Sequence, residues 1–137
     1  MAVIRDTNYF MTMTSNRPYL LRALNEWVLD NHMTPYLLVN AEADGIEVPA
    51  GYSENGKLVL NISPSAVRGF NISSEAVSFH ARFGGVSCFI NIPVSAIQAI
   101  YAKENGMGMI FPEEAPGRDM EPVADKPAVK AHLKVIK

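Results

Sequence analysis

AVSFHARFGGVSCFINIP, residues 76–93, alternates apolar and polar positions on both sides of a glycine pair. Val77, Phe79, Ala81 and Phe83 fall on one side of a period-2 pattern, with Ser78, His80 and Arg82 on the other. After Gly84-Gly85 the alternation resumes with Val86, Cys88, Ile90 and Ile92. Two half-buried strands joined by a two-residue turn are predicted, because Gly-Gly takes the positive φ angles that a primed hairpin turn demands. The outward set is His80, Arg82, Phe89 and Asn91, a mixture of cation, aromatic ring and amide. Such a face suits a peptide groove; alternatively it covers a second layer or a dimer contact.

Outward from the hairpin, 137 residues with 48% hydrophobic content supply one compact core, so a single domain with a tail is expected. The net charge of −2 gives no global basic field, which argues against non-specific binding of nucleic acid or anionic membrane. Cys88 is the only cysteine and lies on the apolar side of its strand. No intrachain disulfide is possible, and a small buried hydrophobe in a reducing compartment is the expected role. No apolar run approaches the ~18 residues of a membrane span, and residues 1–13 lack a signal-peptide pattern. A cytoplasmic protein is therefore expected. Residues 1–13 show no periodicity and are read as a disordered extension, or as sequence upstream of a start at Met11 or Met13.

A helix is predicted to begin near Ser15-Asn16, with Pro18 in its first turn, where the missing N–H costs nothing. Leu20, Leu21, Leu24, Trp27 and Val28 follow at helical spacing, and residues 31–35, NHMTP, end it. The apolar arc is broad: it packs on its own sheet, and either stops there or also meets a second copy. Residues 36–41 and 46–49 are expected to form a hairpin through Asp44-Gly45. Asn55-Gly56 is predicted to turn the chain into a strand over 57–62, within a further strand pair. Residues 63–67 read as an irregular turn, 70–72 as a short strand, 94–105 as a short helix with Ile97, Ile100 and Tyr101 at helical spacing, and 107–111 as a closing strand.

Composition changes at Pro112. Residues 112–125 hold five acidic residues, one base, three prolines and no aromatic ring, too little apolar surface to offset the cost of ordering. A flexible acidic linker over 112–129 is expected. Lys126, Lys130, Lys134 and Lys137 then frame Val129, Leu133, Val135 and Ile136. This terminus is a docking motif or a solvated end. The three histidines are dispersed, no His/Cys/Asp/Glu cluster has metal-ligand spacing, and no nucleophile motif, P-loop or dinucleotide fingerprint occurs. A binding protein without metal or cofactor is expected, not an enzyme.

Several stretches together closely resemble the stringent starvation protein B (SspB) family, adaptors of the ClpXP protease. They are RPYLLRA at 17–23 with Trp27 and Asp30-Asn31, Thr34-Pro35, VLNI at 59–62, ARFGGV at 81–86, and AIYAKENG at 99–106. Family tails end in base, two small residues, Leu, base, Val, aliphatic, Lys. Here KAHLKVIK at 130–137 keeps Leu133, Val135 and the last Lys, and departs at Ala131 and His132. The resemblance implies a mainly β fold with an N-terminal helix, an open Sm-like β-barrel or sandwich of antiparallel hairpins over residues 14–111, and a disordered C-terminal tail. It implies a homodimer through Tyr19, Leu20, Ala23, Leu24 and Trp27. It also implies a groove for the ssrA tag of proteins from stalled ribosomes, made by Asn61, Ala66, Val67, Val77, Phe79, Ala81, Arg82, Phe83, Gly84 and Gly85. Lys130, Leu133, Lys134, Val135, Ile136 and Lys137 would dock on the N-terminal domain of ClpX, whose zinc belongs to that partner. Two other readings stay open. An Sm-like RNA-binding module is disfavoured by the acidic balance, and a small hydrolase using His80 needs a nucleophile that the sequence does not reveal.

Overall fold

The computed structural model describes residues 13–112. The expected extension before Met13, and the linker and docking motif after Pro112, lie outside the described residues. Within them the fold is mainly β: one helix, α1 (Arg17–Asp30), precedes two antiparallel sheets. Strands β1 (Pro35–Asn40), β2 (Lys57–Asn61), β6 (Ile97–Ala102) and β7 (Gly108–Ile110) form a four-stranded sheet in the order β2-β1-β6-β7. Strands β3 (Val67–Ile72), β4 (Ala76–Phe83) and β5 (Val86–Pro93) form a three-stranded one in sequence order. The sheets do not close into a barrel.

The core lies where the apolar faces meet: Leu37 and Val39, Leu58 and Leu60, Val77 and Phe79, Ile90 and Ile92, and Ile97 and Ile100, with Leu21 from the helix. Helix α1 starts with Pro18 in its first turn and ends where His32 takes a positive φ of 60°. There His32 N–H donates to Leu29 O and Met33 N–H to Val28 O, satisfying the last carbonyls in a Schellman arrangement. Leu21 and Val28 face the core, whereas Tyr19, Ala23 and Trp27, each four residues on, are exposed on the opposite side.

The central hairpin forms as expected, with Phe83 opposite Val86 and Gly84 and Gly85 at φ 58° and 81°. Several expectations need correction. Residues 94–105 are not a helix: a single 3-10 turn (Val94–Ala96) leads into β6. In β6, Ala99 pairs with Leu38 and Ile97 with Val39, so Gln98 is an inserted residue. That bulge resets the alternation and puts the buried Ile97 and Ile100 three apart, which imitates a helical face in the sequence. Residues 36–41 and 46–49 do not pair either. Strand β1 pairs with β2 and β6, and Glu47 instead exchanges two backbone hydrogen bonds with Asn91 of β5, at 2.8 and 3.0 Å. The 41–56 excursion thus covers part of the β5 edge and prevents that stretch from templating another strand. Asn55-Gly56 does make the tight turn, with φ 54° and 75°, but the rest of β2 pairs with β1. Strand β3 begins at Val67, earlier than expected, and Cys88 is half-buried at the hairpin's outer end.

Candidate peptide-binding cleft

Between β2 and β3 the chain makes a compact turn held by its own side chains. Asn61 Oδ1 accepts from Ser63 N–H at 2.9 Å, and Ser63 O accepts from Ala66 N–H and Val67 N–H at 2.9 and 3.2 Å. Asn and Ser favour such local side-chain to backbone bonds, which compete with a straight continuation of the strand. The turn stands over the edge of the three-stranded sheet and bounds a cleft of about 620 Å³. Pro64, Ser65, Ala66 and Val67 line it from the turn, and Arg68, His80, Ala81, Arg82 and Ser87 from the strands.

Four of the residues assigned to the groove from the sequence, Ala66, Val67, Ala81 and Arg82, come together there. Asn61 shapes the turn. Gly84 and Gly85 form the hairpin tip, where Gly85 O accepts from Arg82 Nη1 at 3.1 Å. Phe83 is half-buried and meets Tyr52 edge-on, ring centroids 5.0 Å apart. Val77 and Phe79 are each 1% exposed and belong to the core, so they support the sheet and do not reach the cleft. Pro64, Ser65, Arg68 and Ser87 were missed. Period-2 extension of β3 backwards from Phe70 is the signal that would have found Arg68, which sits directly opposite His80.

The outer face of the sheet carries the expected His80, Arg82 and Phe89, with the His80 and Phe89 rings 5.1 Å apart. Among the described residues, no acidic side chain lines this cleft. A second cleft of equal volume, on the four-stranded sheet, is lined instead by Glu42 and Asp44, with Asn40, Gln98 and the apolar Leu38 and Ile97. The two therefore favour ligands of opposite charge. The guanidinium of Arg17 in the second cleft is already engaged: it is buried, donates to Ile97 O at 2.9 Å and to Pro112 O, and lies 4.9 Å from the centre of the Phe111 ring.

The family model described as stringent starvation protein B matches residues 15–135. The chain belongs to the stringent starvation protein B family. A stringent starvation protein B homolog of Haemophilus influenzae is 46% identical over 113 residues, 81% of this chain and 75% of that protein. The SspB family is one of adaptors, so the partners to be expected are proteins. Its motif residues acquire physical roles here. Arg17 ties the start of α1 to Phe111 and Pro112. Glu104 accepts from Thr34 N–H and Thr34 Oγ at 2.9 and 2.7 Å, joining the end of β6 to the entry of β1. These bonds, the backbone one first, hold its carboxyl below the ordinary value. Asn105 Oδ1 accepts from Met107 N–H at 3.0 Å, and Gly106 takes φ 72°, which together turn β6 into β7. Among the described residues, no helix is long and apolar enough to cross a membrane.

Proposed function

We propose that this protein is an adaptor that binds the ssrA tag in the cleft between the 63–67 turn and the β4–β5 hairpin and tethers tagged proteins to ClpXP. The observation that carries the reading is the convergence of Ala66, Val67, Ala81 and Arg82 on one basic cleft in a chain of the SspB family. Arg82 is held at the cleft by its bond to Gly85 O and presents its remaining N–H groups to a carboxylate or carbonyl of the tag. Two copies associate through the exposed Tyr19, Ala23 and Trp27 stripe, with Leu20 and Leu24 beside it. Each particle then carries two clefts and two tails. Residues 112–129 serve as the tether and 130–137 as the ClpX docking motif. A flexible tether of about 18 residues spans roughly 20–25 Å, which makes the second contact effectively intramolecular at roughly millimolar concentration. The site of action is the cytoplasm.

The test is ClpXP degradation of a tagged reporter well below saturation, with the full chain compared with a chain ending at Asp125. The shortened chain is expected to bind a labelled tag peptide as well as the full one and to lose stimulation. Equal stimulation refutes tethering. Arg82→Gln is expected to weaken peptide binding roughly tenfold, the scale of one charge-assisted bond at a partly solvated site. An RNA-binding reading draws on the adjacent, mutually tilted His80 and Phe89 rings beside two arginines. Salt-sensitive retention of a uridine oligonucleotide at micromolar protein would favour it.

A further inference from the structure

Across the outer face of the three-stranded sheet, side chains line up in rows. Arg68 of β3 is opposite His80 of β4, which is opposite Phe89 of β5. Two residues along β4, Arg82 is opposite Ser87. Alternate residues of a strand are about 7 Å apart on one face, so the basic groups occupy two neighbouring rows of one cleft wall. Each row has its own support. The His80 ring is set against Phe89, and Gly69, at φ 64° where the β3–β4 register shifts, follows Arg68. Arg82 is drawn towards the turn by Gly85 O.

These cations lack the partners that exposed basic residues commonly find on their own protein. Among the described residues, the Arg68 side chain makes no hydrogen bond or ion pair, and the Arg82 side chain has only the carbonyl of Gly85. The chain has two more acidic than basic residues, 14 against 12, yet among the described residues no carboxylate lines this cleft. Like charges placed together without a counter-charge repel, and a bound anion relieves that repulsion at the same time as it gains its own contacts.

We propose that Arg68 and His80, together with Arg82, make the cleft selective for acidic peptide segments, with Arg68 and His80 forming a second anchoring point one row away from Arg82. The proposal rests on the reading of this cleft as the tag site and names the chemistry that it selects. Arg82 alone would recognise one carboxylate or carbonyl. Two rows recognise a segment with at least two negative groups, and discriminate against a segment of the same shape in which these are amides.

The experiment titrates two labelled peptides into the full chain and into its Arg68→Gln, His80→Gln and Arg68→Gln/His80→Gln variants. One is the ssrA-tag peptide, and the other is the same peptide with every Asp and Glu converted to Asn and Gln. All three side chains are exposed, and unchanged thermal unfolding will show that the variants are folded. The amide peptide is expected to bind the full chain at least about tenfold more weakly. Arg68→Gln and His80→Gln should each weaken the acidic peptide about three- to tenfold, hardly affect the amide peptide, and so narrow the gap between them. The gap should also shrink as salt rises from about 50 to about 500 mM. Equal binding of both peptides, or a gap that the double variant leaves intact, overturns the proposal while the tag reading stands. A tag peptide that does not bind at all overturns both. Displacement of the bound peptide by an equal concentration of uridine oligonucleotide also counts against it, because the face would then be selecting polyanions and stacking bases.

Discussion

Gly108→Ala opposes two effects whose sizes are known. Gly108 opens β7, and its φ is not in the left-handed region, so on backbone entropy alone alanine should stabilise by about 0.4–1 kcal/mol. The neighbourhood reverses that sign. A Cβ at this position would lie 2.0 Å from Ile100 O and 2.5 Å from Tyr101 Cα, both backbone atoms of β6 that no rotamer change can move. Strand β7 must then shift outward or detach. A shift costs about 1–3 kcal/mol, as for other overpacked sites. Detachment forfeits the bonds from Ala102 N–H to Met107 O and from Phe111 N–H to Gln98 O, both 2.8 Å, at about 1 kcal/mol each. It also exposes Phe111, now 6% exposed, for a further ~2 kcal/mol. Met109 and Ile110 are already exposed and add little. After the entropic gain is subtracted from the cheaper route, the shift, a net loss of about 1 kcal/mol is expected. In urea unfolding that lowers the midpoint by roughly 1 M with an unchanged slope. Gly85→Ala is the control: its Cβ would meet nothing within 4 Å, so only the strain of φ 81° acts and about 1 kcal/mol is lost. A midpoint for Gly108→Ala equal to or above that of the parent would refute the steric reasoning.

Glu104→Gln is expected to lower stability at neutral pH, and the difference from the parent should vanish in acid. The folded carboxyl titrates below its ordinary value, so its contribution is complete above about pH 5 and fades as pH falls through the lowered value; a difference that grows in acid would contradict this. Trp27→Ala combined with Tyr19→Ala should turn a dimer into a monomer at micromolar concentration, because exposed aromatic residues at an interface centre commonly account for ~2 kcal/mol each. Sedimentation of the unaltered chain as a monomer would remove the interface. In the tail, Leu133→Ala should weaken ClpX docking through faster release, and Lys134→Ala through slower association and a shallower salt dependence. Surface-bound ClpX N-terminal domain separates the two by the shapes of the binding traces, and identical traces would count against the assignment.

The sequence was most informative where the determinants are local. Gly84-Gly85 between two alternating runs needs no distant partner to be read, and neither does helix α1. Legibility failed where pairing is remote. Nothing near Glu47 indicates that it will bond to Asn91, 44 positions later, and the inserted Gln98 gave β6 a helical rhythm that only its register with β1 explains. In the cleft, period-2 reasoning separated His80 and Arg82 from the apolar side correctly. It could not distinguish Ala81, which reaches the cleft, from Phe79, which is sealed beneath it, because that depends on where the 63–67 turn stands. Arg68 went unnoticed because Gly69 and the register shift obscure the start of β3.

Arg17 bears on how the domain withstands mechanical force. The described residues end at Pro112 just beyond β7, a three-residue edge strand paired antiparallel to β6 from Ile110 inward. A pull on the C-terminal side would open that pairing one rung at a time, the geometry of a zipper, in which β-structure yields at low force. Before the first rung can open, however, the pull must detach Pro112 O from the Arg17 guanidinium and slide Phe111 out from under it. Since Arg17 begins α1, the strain passes sideways into the helix and the backbone of Ile97. Traction applied beyond Pro112 would thereby meet a strain relief before it reached the sheet.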